Sequence, residues 1–303
     1  MKKKAKTTIR DTNFVPERID MTPKVPMPRT EWIKNKKLDL PYGTDPLQTL
    51  DLYYPKETKE KYPLVILVHG GGFTHCDKRD FHLYPGFFTL DRGFALASVN
   101  YRLAPKDPYP AAVEDVKDAV AYLRGNAAEL NLDSGNFFLY GTSAGGNLVA
   151  CAGLDGGATA GGKRDYHVNA VADLCGLINF NTFIKQPANP LYKLVLYYLI
   201  ARNGYIKARG RERARQLLEA SADSRISSAV NPPAFYIQHG DLDPAVNVRQ
   251  SISFYEKLKD AGIADGKLKL HIMKGVYHAG AGPEYLEREN VDCICDFFIE
   301  HMI

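Results

Sequence analysis

The chain has 303 residues, of which 45% are hydrophobic and 24% charged, the balance of an ordinary globular domain with enough apolar material for one large core. A formal net charge of +4 is too small to argue for a nucleic-acid partner, and much of it sits in Lys2, Lys3, Lys4 and Lys6, a solvated end. No apolar run is long enough to span a bilayer, and the polar stretch after the basic start does not read as a secretory leader, so a cytoplasmic location is expected. The five cysteines (Cys76, Cys151, Cys175, Cys293, Cys295) are odd in number and lack metal-ligand spacing, which predicts free or buried thiols.

In chain order, residues 1–35 carry Pro16, Pro23, Pro26 and Pro28 and read as an irregular arm on a single domain spanning 1–303. Lys37–Pro41 and Thr49–Tyr54 read as strands in an antiparallel start. Pro63–His69 is continuously apolar, as a strand covered on both faces requires, and Phe94–Tyr101, Asn136–Tyr140, Ala170–Gly176, Ala234–His239 and Lys267–Met273 repeat the pattern. Helical stretches separate them. One follows Pro110 through Val113, Val116, Val120 and Leu123, and a second runs from Ser143 to about Cys151. A third carries Val248, Ile252, Tyr255 and Leu258 on one face, and a fourth follows Pro283 to the C-terminus. This alternation predicts an α/β fold with a mainly parallel central sheet flanked by helices, and functional loops beyond the carboxyl ends of its strands.

Residues 179–233 interrupt the alternation. They hold the apolar segment Leu191–Ile200 and a basic stretch, Arg211–Arg215, and an insertion of this length predicts a helical lid or cap. Packing of the apolar segment into the core is compatible with that reading.

The chemistry begins at Gly141-Thr142-Ser143-Ala144-Gly145, which follows an apolar strand and opens a helix. That is the setting of a nucleophile elbow, in which a tight turn exposes the Ser143 hydroxyl near a helix N-terminus. His69-Gly70-Gly71-Gly72-Phe73 follows the strongest strand, and glycines there let backbone N–H groups face a ligand. Gly71 and Gly72, with the N–H of Ala144, are the candidate donors to a developing oxyanion, where losing one donor costs about 3 kcal/mol of barrier stabilisation. A phosphate-binding loop would want a lysine and a Ser/Thr after the glycines, which Phe73-Thr74-His75 does not supply. Downstream, His278 stands in a loop just after the last strand, whereas His271 lies within that strand, His239 ends the strand before it and His301 is terminal. His278 is therefore the candidate base. Asp241 and Asp243 share the loop after Ala234–His239, and residue chemistry alone leaves the choice of acid open.

These motifs resemble the esterase/lipase families of the α/β-hydrolase superfamily with a His-Gly-Gly-Gly oxyanion motif, the hormone-sensitive-lipase-like and acetyl-xylan or feruloyl-esterase-like branches above all. The resemblance runs from about Asp39 to the C-terminus and takes in Asn100–Pro105 and Tyr109–Asp115. It implies Asp243 as the acid, with Val246 three residues on. Asn247 and Gly280 depart from the families' usual residues at the pocket wall. The implied activity is carboxylic-ester hydrolysis through an acyl-enzyme, on small or medium acyl esters such as those of aryl alcohols or carbohydrates. Phe73, Leu191, Leu194 and Tyr198 are the expected pocket residues. No metal or organic cofactor is expected, and the scattered His75, Cys76, Asp77 and His82 read as surface or pocket polarity. A serine peptidase or amidase of the same fold, and a non-catalytic ligand-binding member of it, are the competing readings.

Overall fold

The computed structural model describes residues 27–156, 165–183, 205–279 and 283–303. Eight strands form one sheet: β1 (Lys36–Pro41), β2 (Thr49–Tyr53), β3 (Tyr62–Val68), β4 (Ala95–Val99), β5 (Leu132–Thr142), β6 (Ala170–Leu174), β7 (Ala234–Gly240) and β8 (Leu268–Met273). Their spatial order is β1-β2-β4-β3-β5-β6-β7-β8. β1 pairs antiparallel with β2 and β2 with β4, and every later pairing is parallel. The antiparallel start and the parallel body are those the sequence predicts.

The central parallel strands β3, β4, β6 and β7 are buried along nearly their whole length because helices cover both faces of the sheet. Alternate residues point to opposite sides. Leu64, Ile66, Val68, Phe137 and Leu139 face α2 (Ala111–Gly125), α3 (Ala144–Asp155) and α6 (Arg249–Asp260). Val65, Leu67, Phe138 and Tyr140 face α1 (Leu83–Asp91) and α7 (Arg288–Ile299). The apolar residues of α2 at Val113, Val116, Val120 and Leu123 are all buried against the first face, as their spacing requires.

Three details depart from the sequence reading. The helix α1 was not foreseen, because Pro85 and Gly86 look like breakers. Pro85 falls in the first turn, where its missing N–H costs nothing, and Gly86 lets the helix pack onto the Leu67 and Leu96 side chains. In α6 the buried stripe is Gln250, Ser251, Phe254 and Leu258, so only Leu258 of the expected face is buried. Two polar residues sit inside because they have partners there: the Ser251 hydroxyl meets His239 Nδ1 at 2.7 Å, and the Gln250 side chain accepts from Asn179 N at 2.7 Å. The last helix is also split, with a 3-10 turn over Pro283–Leu286 before α7.

Within the expected insertion, the described residues include a short helix α4 (Phe180–Phe183), α5 (Gly210–Ala220) and a 3-10 turn over Ala222–Ser228. The segment Leu191–Ile200, with its candidate pocket residues Leu191, Leu194 and Tyr198, lies outside the described residues. Of the N-terminal arm, residues 27–35 are described: Ile33 is buried, and Trp32 stands edge-on to Phe87 with ring centroids 5.6 Å apart. Among the described residues, no helix is long and apolar enough to cross a membrane.

The tightest constraint in the fold lies where α3 leaves β5. A Cβ at Gly145 would stand 2.1 Å from the Val68 carbonyl oxygen, and one at Gly141 would stand 2.3 Å from that of Gly145. Both partners are backbone and cannot swing away. Gly145→Ala is therefore expected to lower the urea midpoint by the equivalent of about 1–3 kcal/mol. Gly125→Ala, at the end of α2 with nothing within 4 Å of the added methyl, is expected to hold or raise it by about 0.5–1 kcal/mol. Equal midpoints for the two variants would contradict this account of the turn.

Candidate active site

Ser143 sits at the N-cap of α3 with φ 56° and ψ −116°, a backbone conformation that non-glycine residues rarely adopt. The turn is held from outside by a hydrogen bond from Ser143 N to Leu174 O (2.8 Å), donated across to the end of β6. Such strain persists only where the surroundings over-determine it, and here the two glycines and the β6 contact do so. The result is a serine side chain lifted above the carboxyl end of the sheet, at the positive end of a helix.

The loops after β7 and β8 bring the other two groups to it. Ser143 Oγ lies 2.9 Å from His278 Nε2, and His278 Nδ1 lies 2.6 Å from Asp243 Oδ2. A carboxylate only accepts, so Nδ1 carries the proton and Nε2 presents its lone pair to the serine hydroxyl. The two loops are laced together: Asp241 N donates to Met273 O (3.0 Å), Leu242 N to Val276 O (3.0 Å) and Gly275 N to Asp241 Oδ1 (2.6 Å). The structure thus separates the two acids that the loop sequence could not. Asp241 fastens the loop that leads to His278, and Asp243 meets the imidazole itself.

Asp243 is buried with all its acceptor directions engaged. Oδ1 accepts from Ala245 N and Val246 N, both at 2.8 Å, and Oδ2 accepts from His278 Nδ1 and from His239 Nε2 at 3.0 Å. Burial opposes its charge, but His278 and the His239 hydrogen bond outweigh that and hold the carboxyl below the usual carboxylate range. For His278 burial again disfavours the charged form, and the adjacent Asp243 carboxylate more than offsets it, so the imidazole is held well above the ordinary histidine value.

His239, which the sequence places at the end of β7, is set against Asp243. It is fully buried, with Nε2–H shared between Asp243 and Val246 O (2.8 Å) and Nδ1 accepting from the Ser251 hydroxyl. The available signal was its place at the end of β7, four residues before Asp243, but spacing does not reveal which way the ring turns. Cys175 is a second neighbour. Its Sγ lies within 4.8 Å of ligating atoms of both Asp243 and His278. Tyr285 completes the surround, with its hydroxyl accepting from Gly240 N at 2.7 Å.

The glycine loop after β3 packs beside the Ser143 turn, where a Cβ on Gly70 would stand 3.0 Å from Thr142 O. Gly71 and Gly72 have φ of 96° and 58°, which only glycine adopts without strain. Among the described residues, no group accepts a hydrogen bond from the N–H of Gly71, Gly72 or Ala144. The loop is braced from beneath. Tyr101 Oη donates towards both His69 O (3.0 Å) and Gly70 O (3.1 Å), its ring stacks on His69 at 4.3 Å, and Ala104 N donates to Phe73 O (2.9 Å). Burial pushes His69 down to about 4, so near neutral pH it is uncharged and donates from Nδ1 to Gly70 O (2.9 Å). Phe73, also at positive φ, is buried against Tyr205 (4.1 Å, near-parallel) and Phe180 (6.0 Å), which ties the glycine loop to the 179–233 segment.

The BD-FAE family model matches residues 50–258. Esterase LipQ of Mycobacterium tuberculosis is 29% identical over 253 residues, which is 80% of this chain and 57% of that protein. Esterase LipC of the same organism is 30% identical over 72% of this chain and 54% of its own length. The chain thus spans about half the length of the curated relatives it matches. Among solved structures, a truncated carbohydrate esterase from gut microbiota superposes with a TM-score of 0.76 at 25% identity, covering 91% of this chain and 99% of the other. Esterase B of Lactobacillus rhamnosis gives 0.71 at 18% identity, over 88% of this chain and 86% of its own, and speaks to the fold alone.

A base must be unprotonated to accept, so raising the His278 pKa displaces the rising limb of a pH–rate profile to higher pH. kcat/KM is expected to climb with pH through a midpoint above the ordinary histidine value of 6.5. Asp243→Asn is expected to cost about 10⁴-fold in kcat and to shift that limb downward, whereas Asp241→Asn costs far less. Equal losses in the two variants, or an unmoved limb in Asp243→Asn, would contradict the assignment.

Proposed function

This chain belongs to the BD-FAE family and has the α/β-hydrolase fold, and from that premise we propose that it is a serine carboxylic-ester hydrolase working through an acyl-enzyme. The observation that carries the reading is the continuous path from Ser143 Oγ through His278 to the buried Asp243, at 2.9 and 2.6 Å. A ligand-binding member without chemistry has no use for a hydroxyl aligned on a basic imidazole nitrogen.

In this mechanism His278 Nε2 takes the hydroxyl proton as Ser143 Oγ bonds to the ester carbonyl carbon. Asp243 keeps the imidazole in the required tautomer and offsets its charge once it becomes imidazolium. The carbonyl electron pair moves onto oxygen, where the N–H groups of Gly71, Gly72 and Ala144 receive it and the N-terminus of α3 adds its field. The tetrahedral carbon collapses, and the C–O bond to the alcohol breaks. His278 returns the proton to the departing alkoxide. Water then repeats the sequence on the acyl-enzyme, with its proton taken by His278 and delivered to Ser143 Oγ as the carboxylic acid leaves.

Small or medium acyl groups on a carbohydrate alcohol form the proposed substrate class. The support is the likeness to a carbohydrate esterase over 91% of this chain. Phe73, stacked on Tyr205 and tilted against Phe180, is the proposed pocket wall beside the oxyanion donors, and the 179–233 segment is the proposed cap.

Ser143→Ala is expected to lose p-nitrophenyl acetate hydrolysis by about 10⁴-fold or more while keeping its urea midpoint. The wild-type chain is expected to turn over p-nitrophenyl acetate and acetylated xylo-oligosaccharides and to leave peptide anilides intact. Unchanged ester hydrolysis in Ser143→Ala would remove the nucleophile, and faster cleavage of the anilides would replace the esterase with an amidase.

A further inference from the structure

Directly behind the glycine loop, residues 76–82 gather three side chains of mixed chemistry. The Cys76 thiol, the Asp80 carboxylate and the His82 imidazole each bring one ligating atom to within 4.8 Å of the other two. Two of the four residues that looked suggestive in the sequence are engaged elsewhere: His75 Nδ1 meets Thr74 Oγ1 at 3.0 Å, and the Asp77 carboxylate accepts from Asn100 Nδ2 at 2.9 Å. Asp80, which the sequence did not single out, completes the set. Its Oδ1 lies 2.8 Å from His82 Nδ1 and accepts from His82 N at 3.0 Å, so carboxylate and ring are already fixed to each other.

We propose that Cys76, Asp80 and His82 form a divalent transition-metal site of the zinc-binding type, set against the back of the oxyanion loop. Donors about 2.0–2.3 Å from a tetrahedral ion stand roughly 3.3–3.8 Å apart, so the present spacing closes around an ion with small side-chain shifts. A thiolate with an imidazole selects Zn²⁺, Cd²⁺ or Co²⁺ over Mg²⁺ and Ca²⁺, and the carboxylate completes a three-residue set that leaves one position for water. His82 is buried and Cys76 and Asp80 are half-buried, so an ion can enter from solvent and still lose most of its hydration. Cys76 holds this place at φ 79°, a conformation that favours glycine, and a thiol kept there carries backbone strain that a glycine would not.

Coordination breaks the Cys76 S–H bond, sends the proton to solvent and forms a metal–sulfur bond with no change of oxidation state. Because the ligating form is the thiolate, binding releases a proton and tightens as pH rises. The site touches the catalytic loop through contact alone. A Cβ on Gly71 would stand 2.8 Å from Cys76 Sγ, and one on Gly70 would stand 2.7 Å from His82 Nε2. Two ligands thus pack on the backbone whose N–H groups face the oxyanion position. Drawing them onto an ion alters that support, so occupancy lowers turnover.

The test is a Co²⁺ titration of the reduced protein, following the thiolate-to-cobalt charge-transfer band, a readout independent of the esterase reading. One equivalent with that band is expected in the wild type and in Cys175→Ser, whose thiol lies in the catalytic cluster. In Cys76→Gly, which suits the positive φ, and in Cys76→Ser the band is lost and affinity falls at least as far as the about 10- to 100-fold that changing a ligand's hydrogen-bond partner costs. Zn²⁺ is expected to slow p-nitrophenyl acetate turnover in the wild type and to leave Cys76→Gly unaffected. Absence of the band in the wild type, or its survival in Cys76→Gly, would overturn the site. Equal zinc sensitivity of wild type and Cys76→Gly would overturn its coupling to the loop.

Discussion

The site depends on one buried anion, the Asp243 carboxylate. Removing a carboxylate from water costs several kcal/mol unless its lone pairs are met. Here two backbone N–H groups and two imidazoles meet them, with no direction left for water. Each donor comes from a part of the chain that must be in place for the anion to be tolerated: the Ala245-Val246 turn, His239 at the end of β7 and His278 after β8. The carboxylate that meets the imidazole therefore adds to the Asp241 and Leu242 contacts that lace the two loops. The same logic applies to the loop after β3, where Tyr101 and the neutral His69 hold the Gly70 carbonyl and so fix the backbone that leads into Gly71 and Gly72. One side is built around a charge and the other around a cluster of backbone dipoles.

What the sequence made legible was governed by short-range sterics. A strand followed by Gly141-Thr142-Ser143-Ala144-Gly145 has few ways to turn, and the contacts of the two glycines with the Gly145 and Val68 carbonyls are the local reason. The apolar runs and their alternation with helices gave the sheet in the same way, because burial on both faces leaves a direct mark on composition. His278 was legible from its position just beyond β8.

What was not legible depends on where a ring or carboxylate turns once distant segments meet. Asp241 and Asp243 sit on the same loop with the same chemistry, and only the approach of the 274–278 loop gives one the backbone and the other the imidazole. His239 looked like a strand-end residue because its partners, Ser251 and Asp243, lie beyond the turn. The burial of Gln250 and Ser251 in α6 is hidden for the same reason: polar residues enter a core when partners wait there, and hydropathy does not show partners. Asp80 joined Cys76 and His82 through a local fold of the loop that no spacing rule describes.

The central claim is that Ser143 is the atom acylated and that His278 makes it so. The most direct measurement is mass spectrometry of the protein after treatment with a fluorophosphonate ester, followed by peptide mapping, on the wild type and on His278→Ala. The account predicts one adduct per wild-type chain, located on the peptide containing Ser143, and none above background in His278→Ala at the same exposure. An adduct on any other residue, or equal labelling of the two proteins, would contradict it.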